Sequence, residues 1–182
     1  QICLEAGIPP EVLNFVLMKP KDYISEVMRN KTGGVLFTGS SNAFINILSS
    51  INYKQLFPRI IGETGGKNYH FVEESADLDL VVEKTYQSAF GYSGQKCSAC
   101  SIVYLPDIMY HDFVERINNY HNDKHPQERE NYCLIDKGAY DRTVNVIKKI
   151  ENKNDNSIVM GGNYNTDNGY YVEPTVVRTV IG

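Results

Sequence analysis

The stretch GGVLFTGSSNAFINILSSI, residues 33–51, decides the fold class. Gly33 and Gly34 break what precedes them, and Val35 to Thr38 then reads as a short buried strand. Gly39 and Ser40 turn the chain into a helix, where Phe44, Ile47, Leu48 and Ile51 recur at helical spacing. Working outward, Pro58 to Ile61 reads as the next strand. Upstream, Asp22 to Met28 is helix-like. Val12 to Val16 is an apolar run after the Pro9-Pro10 turn and reads as one more buried strand. Strand, helix, strand, helix, strand predicts an α/β fold with a parallel sheet.

The rest of the chain changes character. His70 to Val72 reads as a short strand. Asp77 to Phe90 reads as a helix capped by Ser75 or Asp77, with Leu78, Val81, Val82 and Tyr86 on one face. A glycine-punctuated loop, Gly91 to Lys96, leads into Cys97, and Ser101 to Leu105 reads as a strand. Pro106 opens a helix to about Tyr120. Asn118 to Asn131 is polar without an apolar period and reads as a loop. Asp136 to Ile150 reads as a helix with Tyr140, Val144 and Ile147 inward. Ile158 to Met160, Tyr170 to Val172 and Thr175 to Val177 read as strands, and the Asn-rich Asn152 to Asn156 as a solvated loop.

Composition excludes several classes. The 182 residues are 42% hydrophobic and 22% charged, with a formal net charge of −4, so no basic face for nucleic acid or for an anionic membrane is expected. No apolar run approaches the ~18 residues of a membrane span. Four cysteines in a chain this long do not make a disulfide framework, so free thiols in a reducing compartment are expected. The chain opens at Gln1 in what reads as the end of a helix, so it is expected to be part of a longer one.

Three segments can carry chemistry: FTGS at Phe37 to Ser40, ETGGK at Glu63 to Lys67, and GQKCSAC at Gly94 to Cys100. Cys97 follows a glycine-rich loop, and glycine lets a backbone approach a ligand closely. Lys96 precedes it, and a neighbouring cation favours the nucleophilic thiolate. The same residue also reads as an ordinary core cysteine. Cys97 and Cys100 form C-x-x-C. A redox pair wants a helix after the first cysteine, whereas a strand follows here. With His121 and His125 the pair also fits a zinc site, although the gap to His121 is too long for a compact finger. Glu63 is either a used carboxylate at a strand end or a surface turn. A phosphate loop is excluded there, because Ile61 stands where its first glycine belongs and Asn68 where Ser or Thr is required. Ser40 is either a simple N-cap or part of an anion-binding helix start. Asn30-Lys31-Thr32 matches a glycosylation sequon by chance.

Taken together, F-T-G-S, E-x-G-G-K and G-Q-x-C in this order resemble the aldehyde dehydrogenase superfamily, with Cys97 standing 34 residues after Glu63. EAGIPPEVLNFV and YYVEPTVV also look like family segments, so the resemblance covers essentially the whole chain. FPRIIGETGGKNYHFV and SAFGYSGQKCSAC are most similar to the branch that oxidises glutamate 5-semialdehyde.

The resemblance implies the end of a Rossmann-type NAD-binding domain over residues 1–62 and the first part of an α/β catalytic domain over residues 63–182. It implies Cys97 as nucleophile, Glu63 as general base, and Ser98 as a contact to the substrate carboxylate. Gly39, Ser40, Ser41, Asn42, Ala43 and Thr64 are implied as NAD contacts, with no metal. The commonest family pattern has glycine where Phe44 stands, so the pocket is expected to be shaped differently there. The family's turn between Tyr120 and Asp136 carries glycine, which is lacking here. The oxyanion Asn and the ribose-holding Lys are expected upstream of Gln1, and the E-x-F-G-P segment and the substrate-carboxylate loop beyond Gly182. The isolated chain is accordingly expected to be inactive. The whole protein is expected to act on a small aldehyde as a homo-oligomer, in the mitochondrial matrix if eukaryotic and otherwise in the cytoplasm.

Overall fold

A computed structural model of the chain describes residues 1–29, 32–53, 57–123, 132–152 and 156–179. It divides into two compact units, Gln1–Gly65 and Gly66–Gly182, each described by itself.

The first unit runs α1 (Ile2–Glu5), α2 (Pro20–Arg29), β1 (Gly34–Gly39), α3 (Ser41–Tyr53) and β2 (Arg59–Thr64). β1 and β2 are parallel, with Val35 opposite Ile60, Thr38 opposite Glu63 and Gly39 opposite Thr64. A parallel pair needs a crossover, and α3 supplies it. Its residues Ile47 and Ile51 close on Val35 of β1, and Ile24, Phe37 and Ile60 complete this small core. Each such buried aliphatic side chain contributes about 1.5–3 kcal/mol relative to exposure.

Val12 to Val16, expected as a strand, is not one. The Pro9-Pro10 turn closes with the Val12 N–H on the Pro9 carbonyl, and Asn14 Nδ2 donates to the Glu11 carbonyl. The run beyond is irregular and exposed, with no ladder partner among the described residues. Apolar β-formers make a strand only where a neighbouring backbone takes their hydrogen bonds.

The second unit runs β3 (Asn68–Phe71), α4 (Leu78–Phe90), β4 (Cys100–Tyr104), α5 (Tyr110–Asp123), α6 (Lys137–Glu151), β5 (Asn156–Met160), β6 (Tyr164–Asn165), β7 (Tyr171–Val172) and β8 (Val176–Thr179). β3 and β4 are parallel, joined through α4, with an irregularity between Asn68 and Tyr69. β5 pairs with β8 and β6 with β7, both antiparallel. Asp77 caps α4 by accepting from the N–H groups of Asp79 and Leu80, and Asp136 caps α6 by accepting from Ala139. The core gathers Val82 and Tyr86 of α4, Phe113 and Ile117 of α5, and Met160 of β5. Asn118 Nδ2 donates to the Val159 carbonyl at 2.9 Å and ties α5 to β5.

α5 overturns part of the loop expected at Asn118–Asn131, because the helix continues to Asp123. His121, which falls within that expected loop, is only 4% exposed. Phe113, Ile117 and His121 are spaced by four and share one helical face, so burial of the first two carries the third inward. Residues 124–131, His125 among them, lie outside the described residues, as do the 30–31 portion of the sequon and residues 153–155.

Candidate active site

The β1–β2 register brings FTGS beside ETGGK. Glu63 is exposed, next to last in β2, and faces Thr38 across the ladder. Ser40 stands just before α3. Its Oγ accepts from the Ala43 N–H at 3.2 Å, and its carbonyl accepts from the Phe44 N–H at 3.0 Å. The Ala43 N–H, expected to face a ligand, is therefore used in the cap. The N–H groups of Ser41 and Asn42 stand in the first turn, where no carbonyl of the same helix lies in reach. Phe44 stacks on Phe37, with centroids 5.6 Å apart and planes 13° from parallel. The two rings lie over the strand ends. A Cβ on Gly62 would sit 2.3 Å from the Phe44 ring, and one on Gly39 2.6 Å from the Phe37 ring. Glycine at both positions leaves room for the two rings.

In the second unit Cys97 stands at the tip of a turn. The Ala99 N–H donates to the Lys96 carbonyl at 3.1 Å, so Cys97 and Ser98 are its two central residues, both exposed. Asn68 Nδ2, at the start of β3, donates to the Cys97 carbonyl at 2.7 Å and to the Ala99 carbonyl at 3.2 Å. The loop entering this turn is strained. Tyr92 and Ser93 have φ of 58° and 54°, a conformation few side chains adopt, and Gly94 follows at 70°. The strain is held by partners from residues 132–135. Ser93 Oγ donates to the Tyr132 carbonyl at 2.6 Å, and the rings of Tyr92 and Tyr132 lie 5.0 Å apart. Gln95 Nε2 donates to the Cys133 carbonyl, and its Oε1 accepts from the Ile135 N–H at 3.0 Å.

Cys100, three residues on, has the opposite environment. It is buried in β4, and its Sγ lies 3.3 Å from the Ile102 carbonyl. Burial pushes its thiol up, against a smaller opposing effect of hydrogen bonds at Ile102 and His70. A thiol kept protonated is a poor metal ligand and a poor nucleophile. His121 has both ring nitrogens engaged, Nδ1 with Tyr86 Oη at 2.8 Å and Nε2 with Glu173 Oε1 at 3.2 Å. Among the described residues no three His, Cys, Asp or Glu side chains gather as a metal site.

The structure thus groups Gly39, Ser40, Ser41, Asn42, Glu63 and Thr64 at one pair of strand ends, and Cys97 with Ser98 on a turn in the other unit. Sequence reasoning missed Asn68, Ser93 and Gln95. Each lies within or next to a motif, but its partner is 29 to 40 residues away.

The family model "Aldehyde dehydrogenase family" matches residues 1–181, and the chain belongs to that family. Two mitochondrial delta-1-pyrroline-5-carboxylate dehydrogenases are similar over 98% of the chain, at 35% identity in Emericella nidulans and 33% in Homo sapiens. Among solved structures, the delta-pyrroline-5-carboxylate dehydrogenase from Mycobacterium tuberculosis is similar with a TM-score of 0.88 and 27% identity, covering 96% of this chain and 34% of that one. A 1-pyrroline-5-carboxylate dehydrogenase from Thermus with bound NAD gives 0.83 and 28%, covering 95% of this chain and 35% of that one. The chain spans about one third of the length of the curated relatives it matches.

Proposed function

We propose that the protein containing this chain oxidises glutamate 5-semialdehyde, the open form of 1-pyrroline-5-carboxylate, to glutamate with NAD, in proline catabolism. The observation that carries the reading is Cys97. It is an exposed thiol on a turn clamped from behind, in a chain whose relatives are named for this reaction over 98% of its length.

The residues fit the cofactor. The Ser41 and Asn42 N–H groups at the start of a 13-residue helix favour a diphosphate, and Gly39 and Ser40 lead the chain into that helix from the end of β1. Thr64 ends the neighbouring strand. When bound, NAD supplies the hydride acceptor. The Cys97 thiolate adds to the aldehyde carbon and gives a thiohemiacetal, whose oxygen the Cys97 N–H helps to hold. Loss of hydride leaves a thioester on Cys97. Glu63 takes a proton from water, the water oxygen adds to the thioester carbonyl, and the thiolate departs with release of the acid. Ser98, exposed beside the nucleophile, offers its hydroxyl to the substrate carboxylate.

No helix among the described residues is long and apolar enough to cross a membrane. A mitochondrial location, if the source is eukaryotic, and a homo-oligomeric assembly belong to the same proposal. The test is NADH formation by the complete protein with 1-pyrroline-5-carboxylate and with simple aliphatic aldehydes. Preference for the former by kcat/KM is expected. Equal or better use of the aliphatic aldehydes reassigns the substrate, and no NADH with either overturns the reading.

A further inference from the structure

Asn68 follows directly on the E-T-G-G-K segment and opens the strand that pairs with β4. Its side chain reaches two carbonyls of the turn that presents the thiol, those of Cys97 and Ala99. Both partners are acceptors, so only the amide nitrogen can face them, and one NH2 group with two hydrogens serves both. The Ala99 N–H closes the same turn on Lys96. The four residues are thus fixed by one internal hydrogen bond and two from a strand 29 to 31 residues earlier. Gly66 bears on the same contact, because a Cβ there would lie 3.3 Å from Asn68 Oδ1 and crowd the amide. The second glycine of the motif leaves the room that Asn68 needs.

We propose that Asn68 is a positioning residue for Cys97, setting the direction of its thiol by holding the carbonyls on either side of Ser98. The inference rests on the reading of Cys97 as nucleophile. Asn68 itself is exposed and lies at a strand end, so its hydrogen bonds add little to global stability. Their effect falls on the geometry of an exposed turn, ahead of the β3–β4 ladder that takes hold at Cys100. Misplacing a nucleophile by about 1 Å costs up to about 100-fold in rate.

The test uses the complete protein with Asn68→Ala, Asn68→Asp and Gly66→Ala. The measurements are kcat and KM for both substrates, the rate of Cys97 alkylation by iodoacetamide, and the thermal midpoint. Asn68→Asp has nearly the same shape but offers acceptors to two carbonyls, so it separates hydrogen-bond donation from side-chain bulk. Asn68→Ala and Asn68→Asp are expected to lower kcat about 10- to 100-fold. KM for NAD, set at α3, stays unchanged, Cys97 alkylation changes in rate, and the midpoint moves little. Gly66→Ala has a weaker effect of the same kind. Wild-type kcat and alkylation in both Asn68 variants overturn the proposal. So does a loss of kcat matched by collapse of the thermal midpoint, which assigns Asn68 to folding. Cys97→Ala keeps the two readings apart: full activity in that variant removes the nucleophile, whereas an inactive Cys97→Ala beside normal Asn68 variants removes only the clamp.

Discussion

Two polar constructions in the second unit use the same kinds of group for opposite ends. Around Cys97, side chains bond to backbone: Asn68 to the Cys97 and Ala99 carbonyls, Ser93 to Tyr132, and Gln95 to Cys133 and Ile135. The thiol is left exposed. Around His121, side chains bond to side chains. Tyr86 meets Nδ1, Glu173 meets Nε2, and Asn163 Nδ2 closes on Glu173 Oε2 at 2.6 Å. The imidazole there is buried, and no buried polar side-chain atom among those described lacks a partner. A group proposed to react, as Cys97 is, is best held through its main chain, so that its own atoms stay available. A packing group is best held through the side chain itself, because an unmet buried polar atom costs about 1–3 kcal/mol.

The sharpest way to break this contrast is to truncate each construction and ask what is lost. On the proposed chemistry, Cys97→Ala lowers kcat by about 10⁴-fold or more, while stability changes by no more than about 0.5 kcal/mol because the side chain is exposed. Cys100→Ala reverses the pattern. Turnover stays of the wild-type order, and stability falls by about 1 kcal/mol for the emptied space in β4. Steady-state kinetics and urea unfolding on the two variants decide the matter. Comparable loss of kcat in both would erase the distinction between the cysteines.

The second construction responds only in stability. His121→Ala removes a buried ring from contact with Tyr86 and leaves the Glu173 carboxylate short of one donor. A loss of about 2–4 kcal/mol is expected, read as a shift of the urea midpoint. Activity measured well below that midpoint stays near wild type. A variant as stable as the parent would show that solvent replaces both hydrogen bonds without cost.

The sequence made much of this arrangement legible. The period of Phe44, Ile47 and Ile51 places α3, Asp77 caps α4 where a cap was expected, and the three motifs locate the exposed Glu63 and Cys97. What stayed hidden was non-local. Val12 to Val16 has the composition of a strand but no backbone to pair with among the described residues. The polar letters around His121 hid a helical face already marked by Phe113 and Ile117. Asn68 served only to rule out a phosphate loop, because its partners become visible once β3 and β4 pair. Spacing reports which face a residue lies on, whereas a clamp depends on which strands become neighbours.

The smallest expected effect concerns acid, and it sharpens the comparison on the buried side. Burial alone would raise the Glu173 carboxyl. The side chain of Asn163, His121 and the Asn163 backbone N–H donate to it, and the balance holds it below its ordinary value of 4.5. A carboxyl lowered by folding contributes stability that is fully present above its unfolded value, and loses that contribution as pH falls through the folded one. Urea midpoints taken from pH 7 downward should therefore fall below about pH 4.5 more steeply for the wild type than for Glu173→Gln. The two curves are widest apart near neutral pH and converge in acid, because the variant has no proton to gain at that position. Parallel curves would mean that the donors around Glu173 serve its neutral form equally well. The network would then be one of shape, with no preference for the carboxylate.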